Sequence, residues 1–186
     1  MNQIFKPTRR NPIAVWILLA GLPATGKSTL AKALAAKLNA ATILDKDRVR
    51  DSLFPGPMTD YTAEQDALCM HAMIDAAAYL TQHRRGEYIF FDGRTFSRNA
   101  QIEEVITAAE KSGAPWRILL LTCSDEAAES RLRIADSNHP ARNRDFDLYL
   151  RVKAAFEPIL GDKLELDTTE SVDSLLPAAL RFITAV

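Results

Sequence analysis

Cysteine is scarce in this sequence of 186 residues: there are 2, Cys69 and Cys123, with neither a C-x-x-C pair nor a Cys/His cluster around them. That argues against a structural zinc site or a disulfide framework and fits a reducing cytoplasm. The 3 histidines, His71, His83 and His139, have no partners at metal-ligand spacing. Charge of one sign is lacking too. Lys and Arg number 23 against 24 Asp and Glu, a formal net charge of −1, which argues against a basic nucleic-acid coat or an acidic solvating tail. There is no internal repeat, no low-complexity tract and no linker. The apolar run from Ile13 to Leu22 falls short of the about 20 residues that span a bilayer. Hydrophobic residues at 47% and charged residues at 25% are ordinary for a globular protein. The length allows one compact domain that buries roughly 70% of the surface its unfolded chain exposes.

Lys6, Arg9 and Arg10 ahead of the apolar run resemble a secretory signal, even one with twin arginines, and Leu22-Pro23-Ala24-Thr25-Gly26 spells a sortase-type signal. A sorting signal belongs near a C-terminus, ahead of a hydrophobic tail, and cleavage after the run would remove or sever the most specific segment of the chain. The run therefore reads as a buried first strand, preceded by a loose leader over residues 1 to 12, with one domain over 13 to 186.

From there strands and helices alternate. Strands are expected at Ile13–Ala20, Thr42–Leu44, Tyr88–Phe91, Trp116–Thr122 and Leu164–Leu166. Helices are expected at Ser28–Leu38, from Thr62 to Gln82 behind a Thr62/Gln65 capping box, at Arg98–Lys111, Asp125–Ala135, Asp145–Phe156 and Val172–Thr184, with a short helical piece ending at Phe54 before Pro55-Gly56-Pro57. Residues 136 to 144 read as a polar loop. This alternation predicts a three-layer α/β domain with a parallel sheet.

The decisive segment is Gly21-Leu22-Pro23-Ala24-Thr25-Gly26-Lys27-Ser28-Thr29, a G-x-x-x-x-G-K-[ST] motif set between an apolar strand and an amphipathic helix. Inward-facing backbone N–H groups and a helix N-terminus hold the charges of a triphosphate, and glycines let the backbone curl around the oxygens. Lys27 would reach the β- and γ-phosphates of ATP, and the Ser28 hydroxyl would ligate Mg²⁺.

Carboxylates and arginines gather at the same edge. After the second strand, Asp47 is expected to accept a proton from an acceptor hydroxyl, and Arg50, one turn on, to hold an anionic group of that acceptor. Asp45 reads as local structure. Asp92, at the tip of the third strand, would hold Mg²⁺ or its waters, and Arg94 would meet the acceptor. Residues 131 to 153 hold 6 basic residues against 3 acidic ones. They read as a helical lid whose arginines (Arg131, Arg133, Arg142, Arg144) neutralise charge during transfer, with the dominant one left open. Trp16, Trp116, Met70 and Met73 read as core.

With these pieces in place the chain resembles the small P-loop kinases, a group containing phage-type polynucleotide 5′-kinase, zeta toxins and chloramphenicol phosphotransferase. The resemblance runs from about Ala14 to Leu176. It is carried by GLPATGKST, the D-x-x-R of Asp47 to Arg50, the Asp60-Tyr61-Thr62 opening of the long helix, FFDGRTFSR, SRLRIAD and DFDLYLRVKAAFEPI. It implies a five-stranded parallel sheet in the order 2-3-1-4-5, ATP with Mg²⁺, and transfer of the γ-phosphoryl group to a hydroxyl. It also implies that Asp47 is the general base, that Arg50 holds a substrate phosphate, and that Arg131 is the lid arginine on the donor phosphates. Arg94 is not a residue the group demands. The acceptor is expected to be a small molecule, a nucleotide or a nucleic-acid 5′ end. The alternatives are a nucleotide-dependent switch and a zeta-toxin-like kinase of nucleotide sugars.

Overall fold

Six consecutive buried residues, Val15–Ala20, form strand β1, and the alternation of their side chains divides the interior in two. Trp16, Leu18 and Ala20 join one apolar cluster with Met70, Met73, Ala77, Ile102, Val105 and Ala109. Val15, Ile17 and Leu19 join another with Leu30, Leu34, Leu166, Ala179 and Ile183. A strand that must be apolar on both faces belongs at the centre of a parallel sheet covered by helices. The computed structural model describes residues 13–134, 145–169 and 171–185. The expected leader (1 to 12) and the polar loop with His139, Arg142 and Arg144 lie outside these.

The sheet has the order β2-β3-β1-β4-β5, with β2 at Ala41–Asp45, β3 at Tyr88–Asp92, β4 at Trp116–Thr122 and β5 at Leu164–Asp167. All four pairings are parallel, as the alternating pattern predicts. Helices α1 (Lys27–Ala35) and α7 (Val172–Thr184) cover one face. Helices α3 (Ala63–Gln82) and α4 (Asn99–Lys111) cover the other. Helices α2 (Lys46–Leu53), α5 (Asp125–Ile134) and α6 (Phe146–Ala154) frame the C-terminal edge. The connections after β1 and β3 leave that edge towards opposite faces. This opens a crevice between the two strands, the usual ligand position in such sheets.

Several helices end short of their sequence patterns, for local reasons. Helix α1 stops at Ala35, and the bonds beyond it tighten, with the Lys37 N–H donating to Leu34 O at 2.9 Å. Helix α6 ends at Ala154 rather than Phe156. Pro158 disfavours helical backbone before it, and the Glu157 N–H donates instead to Ser97 O at 2.9 Å. The capping box at Thr62 is half formed. The Gln65 N–H donates to Thr62 Oγ1 at 3.3 Å, but the Gln65 side chain accepts from the Asp60 N–H at 3.1 Å and donates to Met58 O at 2.7 Å. It thereby pins the short 3-10 turn at Gly56–Met58, while Asp60 Oδ1 accepts from the Thr62 N–H at 2.9 Å. Among the described residues, no helix is long and apolar enough to cross a membrane.

Trp16 is packed against Phe91, ring centroids 5.2 Å apart, and its indole N–H donates to Thr81 Oγ1 at 2.9 Å. Thr81→Val keeps the shape but strands that buried donor, so it is expected to cost about 1–3 kcal/mol. Thr184→Val removes only an exposed hydroxyl that donates to Leu180 O at 2.8 Å and is expected to be near neutral. Denaturant midpoints of the two variants check the contrast.

Candidate active site

Directly after β1 the backbone leaves the extended region three times, at Gly21 (φ 139°), Ala24 (φ 62°) and Gly26 (φ 81°). Gly21 has no alternative. A Cβ there would sit 2.3 Å from Leu121 O and 2.9 Å from Thr25 Oγ1. The resulting loop, 21 to 26, curls over the N-terminus of α1, where unpaired backbone N–H groups and the helix dipole favour an anion. The Lys27 ammonium lies inside the curl, donating to Gly21 O at 2.8 Å and Leu22 O at 2.7 Å. The Thr25 hydroxyl donates to Leu22 O at 2.8 Å. Pro23 is buried and reaches the neighbouring cleft, while Thr29 is exposed on α1.

The loop is tied to the far side of the sheet. Thr168, fully buried just past β5, places its hydroxyl 2.9 Å from Thr25 O and 3.0 Å from Thr122 O. Arg131, in the last turn of α5, donates to Ala24 O at 3.1 Å and to Thr168 Oγ1 at 3.2 Å, and also hydrogen-bonds Thr168 O. Of the four expected lid arginines, Arg131 thus reaches the phosphate loop. Arg133 points to solvent with its side chain 76% exposed, paired with Glu129 at 2.6 Å.

Two strand tips face each other beside the loop, Asp45 in register with Asp92. They do different things. Asp45 caps α2, its Oδ1 accepting from the Asp47 and Arg48 N–H groups at 3.0 and 3.3 Å. Asp92 is only 2% exposed, and its Oδ1 has no hydrogen-bond partner among the described residues. Burial raises its pKa above the usual carboxylate value, with Asp45 adding to the effect, against the Ser28 hydrogen bond, the Gly93 N–H and the Lys27 charge. A buried carboxylate with an unused oxygen, hydrogen-bonded to Ser28, fits a Mg²⁺ that takes few protein ligands and shares phosphate oxygens. No cluster of three or more His, Cys, Asp or Glu exists among the described residues to hold a metal by protein groups alone.

Beside the loop lies a cavity of about 180 Å³ lined by Lys27, Lys46, Asp47, Arg50, Asp66 and Arg94, with Leu148 and Val152 of α6 as its apolar wall. Asp47 is buried and accepts from Arg50 Nη1 at 3.1 Å. Asp66, in the first turn of α3, is hydrogen-bonded by both Lys46 and Arg50. Arg94 Nη2 stands 3.7 Å from its other oxygen. Burial would push the Asp66 pKa up, yet Lys46, Arg94 and Arg50 together hold it below the ordinary value. Burial lowers the pKa of Lys46, with Asp66 opposing.

A family model described as an AAA domain matches residues 16–159. The chain belongs to that family. No protein of curated function matches it in sequence, but solved structures do in fold. A Chloroflexus aurantiacus J-10-fl protein, assigned provisionally as a kinase, superposes with a TM-score of 0.71 at 22% identity over 92% of this chain and 99% of that one. Chaetomium thermophilum Kti12, solved with ADP-AlF3, gives 0.66 at 16% identity over 90% and 98%. The Mycobacterium tuberculosis APS kinase CysC, solved with AMPPNP and APS, gives 0.62 at 15% identity over 94% and 99%. The fold is that of the small P-loop kinases, with the strand order the resemblance implies.

In this AAA-domain chain the structure brings Lys27, Ser28, Asp47, Arg50, Asp92, Arg94 and Arg131 to one edge of the sheet. Sequence reasoning passed over Lys46, Asp66, Gln101 and Thr168. Asp66 looks like an ordinary acidic residue in a first helical turn, and nothing in sequence marks a single threonine 143 residues from its loop partner. Because its native pKa is raised, ionised Asp92 destabilises the metal-free fold as pH climbs above the ordinary value of 3.8. Asp92→Asn is therefore expected to raise the thermal midpoint of metal-free protein at about pH 7. That gain should vanish below the ordinary carboxylate range, and stabilisation by Mg²⁺ with nucleotide should be lost; thermal melts across pH check all three.

Proposed function

We propose that this chain is an ATP- and Mg²⁺-dependent kinase that transfers the γ-phosphoryl group to a hydroxyl of a small-molecule or nucleotide-like acceptor, a nucleic-acid 5′ end included. The observation that carries the reading is the cleft that Asp47 and Arg50 line together with Lys27 of the phosphate loop. A site that only bound and released nucleotide would need no carboxylate on the acceptor side. The family and the fold of its neighbours support the same class. Its setting would be cytoplasmic, in keeping with two unpaired thiols, Cys69 and Cys123.

In this mechanism the loop N–H groups and Lys27 hold the β- and γ-phosphates, and Lys27 exchanges its bonds to Gly21 O and Leu22 O for phosphate oxygens. Ser28 and Asp92 would hold Mg²⁺, which when bound neutralises phosphate charge. Asp47 takes the proton of the acceptor hydroxyl as its oxygen bonds to the γ-phosphorus. The bond from that phosphorus to the β–γ bridging oxygen breaks, and ADP leaves with its electron pair. Arg131, fixed on Ala24 O and Thr168, would supply positive charge at the donor side.

Single-turnover transfer from labelled ATP, against a panel of nucleosides, oligonucleotide 5′ ends, sugars, nucleotide sugars and chloramphenicol-like alcohols, tests this. Lys27→Met is expected to abolish turnover while the fold persists. Asp47→Asn should lower transfer by about 10²–10⁴-fold with nucleotide affinity little changed. Asp45→Asn keeps the helix cap and should cost much less. Acceptor-independent ATP hydrolysis that Asp47→Asn leaves intact would point instead to a nucleotide switch.

A further inference from the structure

Among the described residues, Arg131 is held by neutral oxygens alone. Its Nη1 donates to Ala24 O at 3.1 Å and to Thr168 Oγ1 at 3.2 Å, and its Nη2 donates to Thr168 O. No carboxylate among those residues forms a salt bridge with it. The adjacent candidate, Asp167, is occupied by Thr169, accepting its N–H at 2.8 Å and its hydroxyl at 2.6 Å. A carboxylate would hold the guanidinium as firmly, but it would also cancel its charge. Carbonyl and hydroxyl oxygens fix its plane and leave the charge for an anion. A guanidinium has five N–H donors, so these bonds also leave donors to spare.

The helix that carries Arg131 is fixed at its other end as well. Asp125, in the first turn of α5, accepts from the Tyr149 hydroxyl and the Lys153 ammonium of α6, each at 2.6 Å. The far anchor is a single residue. Thr168 is fully buried, its N–H donates to Thr122 O at 2.8 Å, and its hydroxyl lies 2.9 Å from Thr25 O and 3.0 Å from Thr122 O. A hydroxyl has one proton and two lone pairs. While it donates to one of these carbonyls it still accepts from Arg131, and so links the guanidinium to the phosphate loop. A role confined to packing would be met by valine, which has the same shape.

We propose that Thr168 is the positioning residue of the donor side: its hydroxyl and carbonyl set the Arg131 guanidinium towards the γ-phosphoryl group in transfer without neutralising it. This rests on the kinase reading, under which Arg131 meets the donor phosphates. A cation oriented in advance acts most on the state in which charge is shifting, and less on resting nucleotide. Loss of the Thr168 hydroxyl therefore weakens the transferring state more than nucleotide binding, and the loss runs through Arg131.

The test uses the full chain with Mg²⁺, titrated with ADP alone and with ADP plus aluminium fluoride, a mimic of the phosphoryl group in transfer. The readout is the ratio of the two affinities, because a merely structural loss moves both alike. Thr168→Val is expected to lower the ratio by about 10- to 100-fold, the worth of a hydrogen bond to a charged group, with ADP affinity nearly unchanged. Thr168→Ser keeps the hydroxyl and should restore most of the ratio. Arg131→Gln should lower it at least as far, and Thr168→Val added to Arg131→Gln should lower it no further. Circular dichroism shows that each variant is folded, and Thr168→Ala is a second variant without the hydroxyl. Equal losses for both ligands, additive losses in the double variant, or a ratio that Arg131→Gln leaves intact overturns the proposal. So does a wild type that binds the two equally. Failure of every acceptor to stimulate ATP turnover would sink the kinase reading, while the affinity ratio still decides whether Thr168 acts through Arg131.

Discussion

Everything at the site depends on β1 being buried on both faces. A strand sandwiched between α1/α7 and α3/α4 has no freedom to shift register, because a slip of one residue would exchange its two sets of side chains between different helices. That rigidity is transmitted into Gly21, the first residue past the strand, which lies so close to Leu121 O that no side chain fits. The phosphate loop is thus anchored at its start by β4 and at its turn by Thr168.

The charged groups around this cradle fall into two environments. Asp92 lies beneath the loop, where burial and Asp45 make its negative charge unfavourable. Asp66 lies across the cleft among Lys46, Arg50 and Arg94, and is held ionised by them. Two aspartates less than thirty residues apart in sequence thus have pKa values pushed in opposite directions.

The parts of this arrangement that were legible in sequence are those with a local signature. An apolar run followed by G-x-x-x-x-G-K-S encodes strand, loop and helix within fifteen residues, and the tips of β2 and β3 announce themselves by an acidic residue ending an apolar stretch. The reading of Asp45 as structural agrees with its capping bonds, since an Asp just ahead of a helical piece is a cap by ordinary preference. The parts that were not legible are long-range. Asp66 is drawn to Arg94 by the packing of α3 beside the β3–α4 connection, and Thr168 reaches Thr25 only because β5 pairs with β4. Gln65 had the right spacing for a capping box, but the turn just upstream takes its amide through Met58 and Asp60 instead, a local competition.

The Thr168 contact has a consequence for how the protein is made. The loop at residues 21 to 26 is made before the residues that complete it, since the hydroxyl that meets Thr25 O belongs to a residue 143 positions later. The guanidinium on Ala24 O comes from a helix 107 positions later. Chains emerge from the N-terminus onward, so a nascent chain presents an incomplete cradle until Thr168 has emerged. Nucleotide can be gripped by the finished geometry only once β5 has joined the sheet edge. The cradle is in this sense finished well after its own loop has been made.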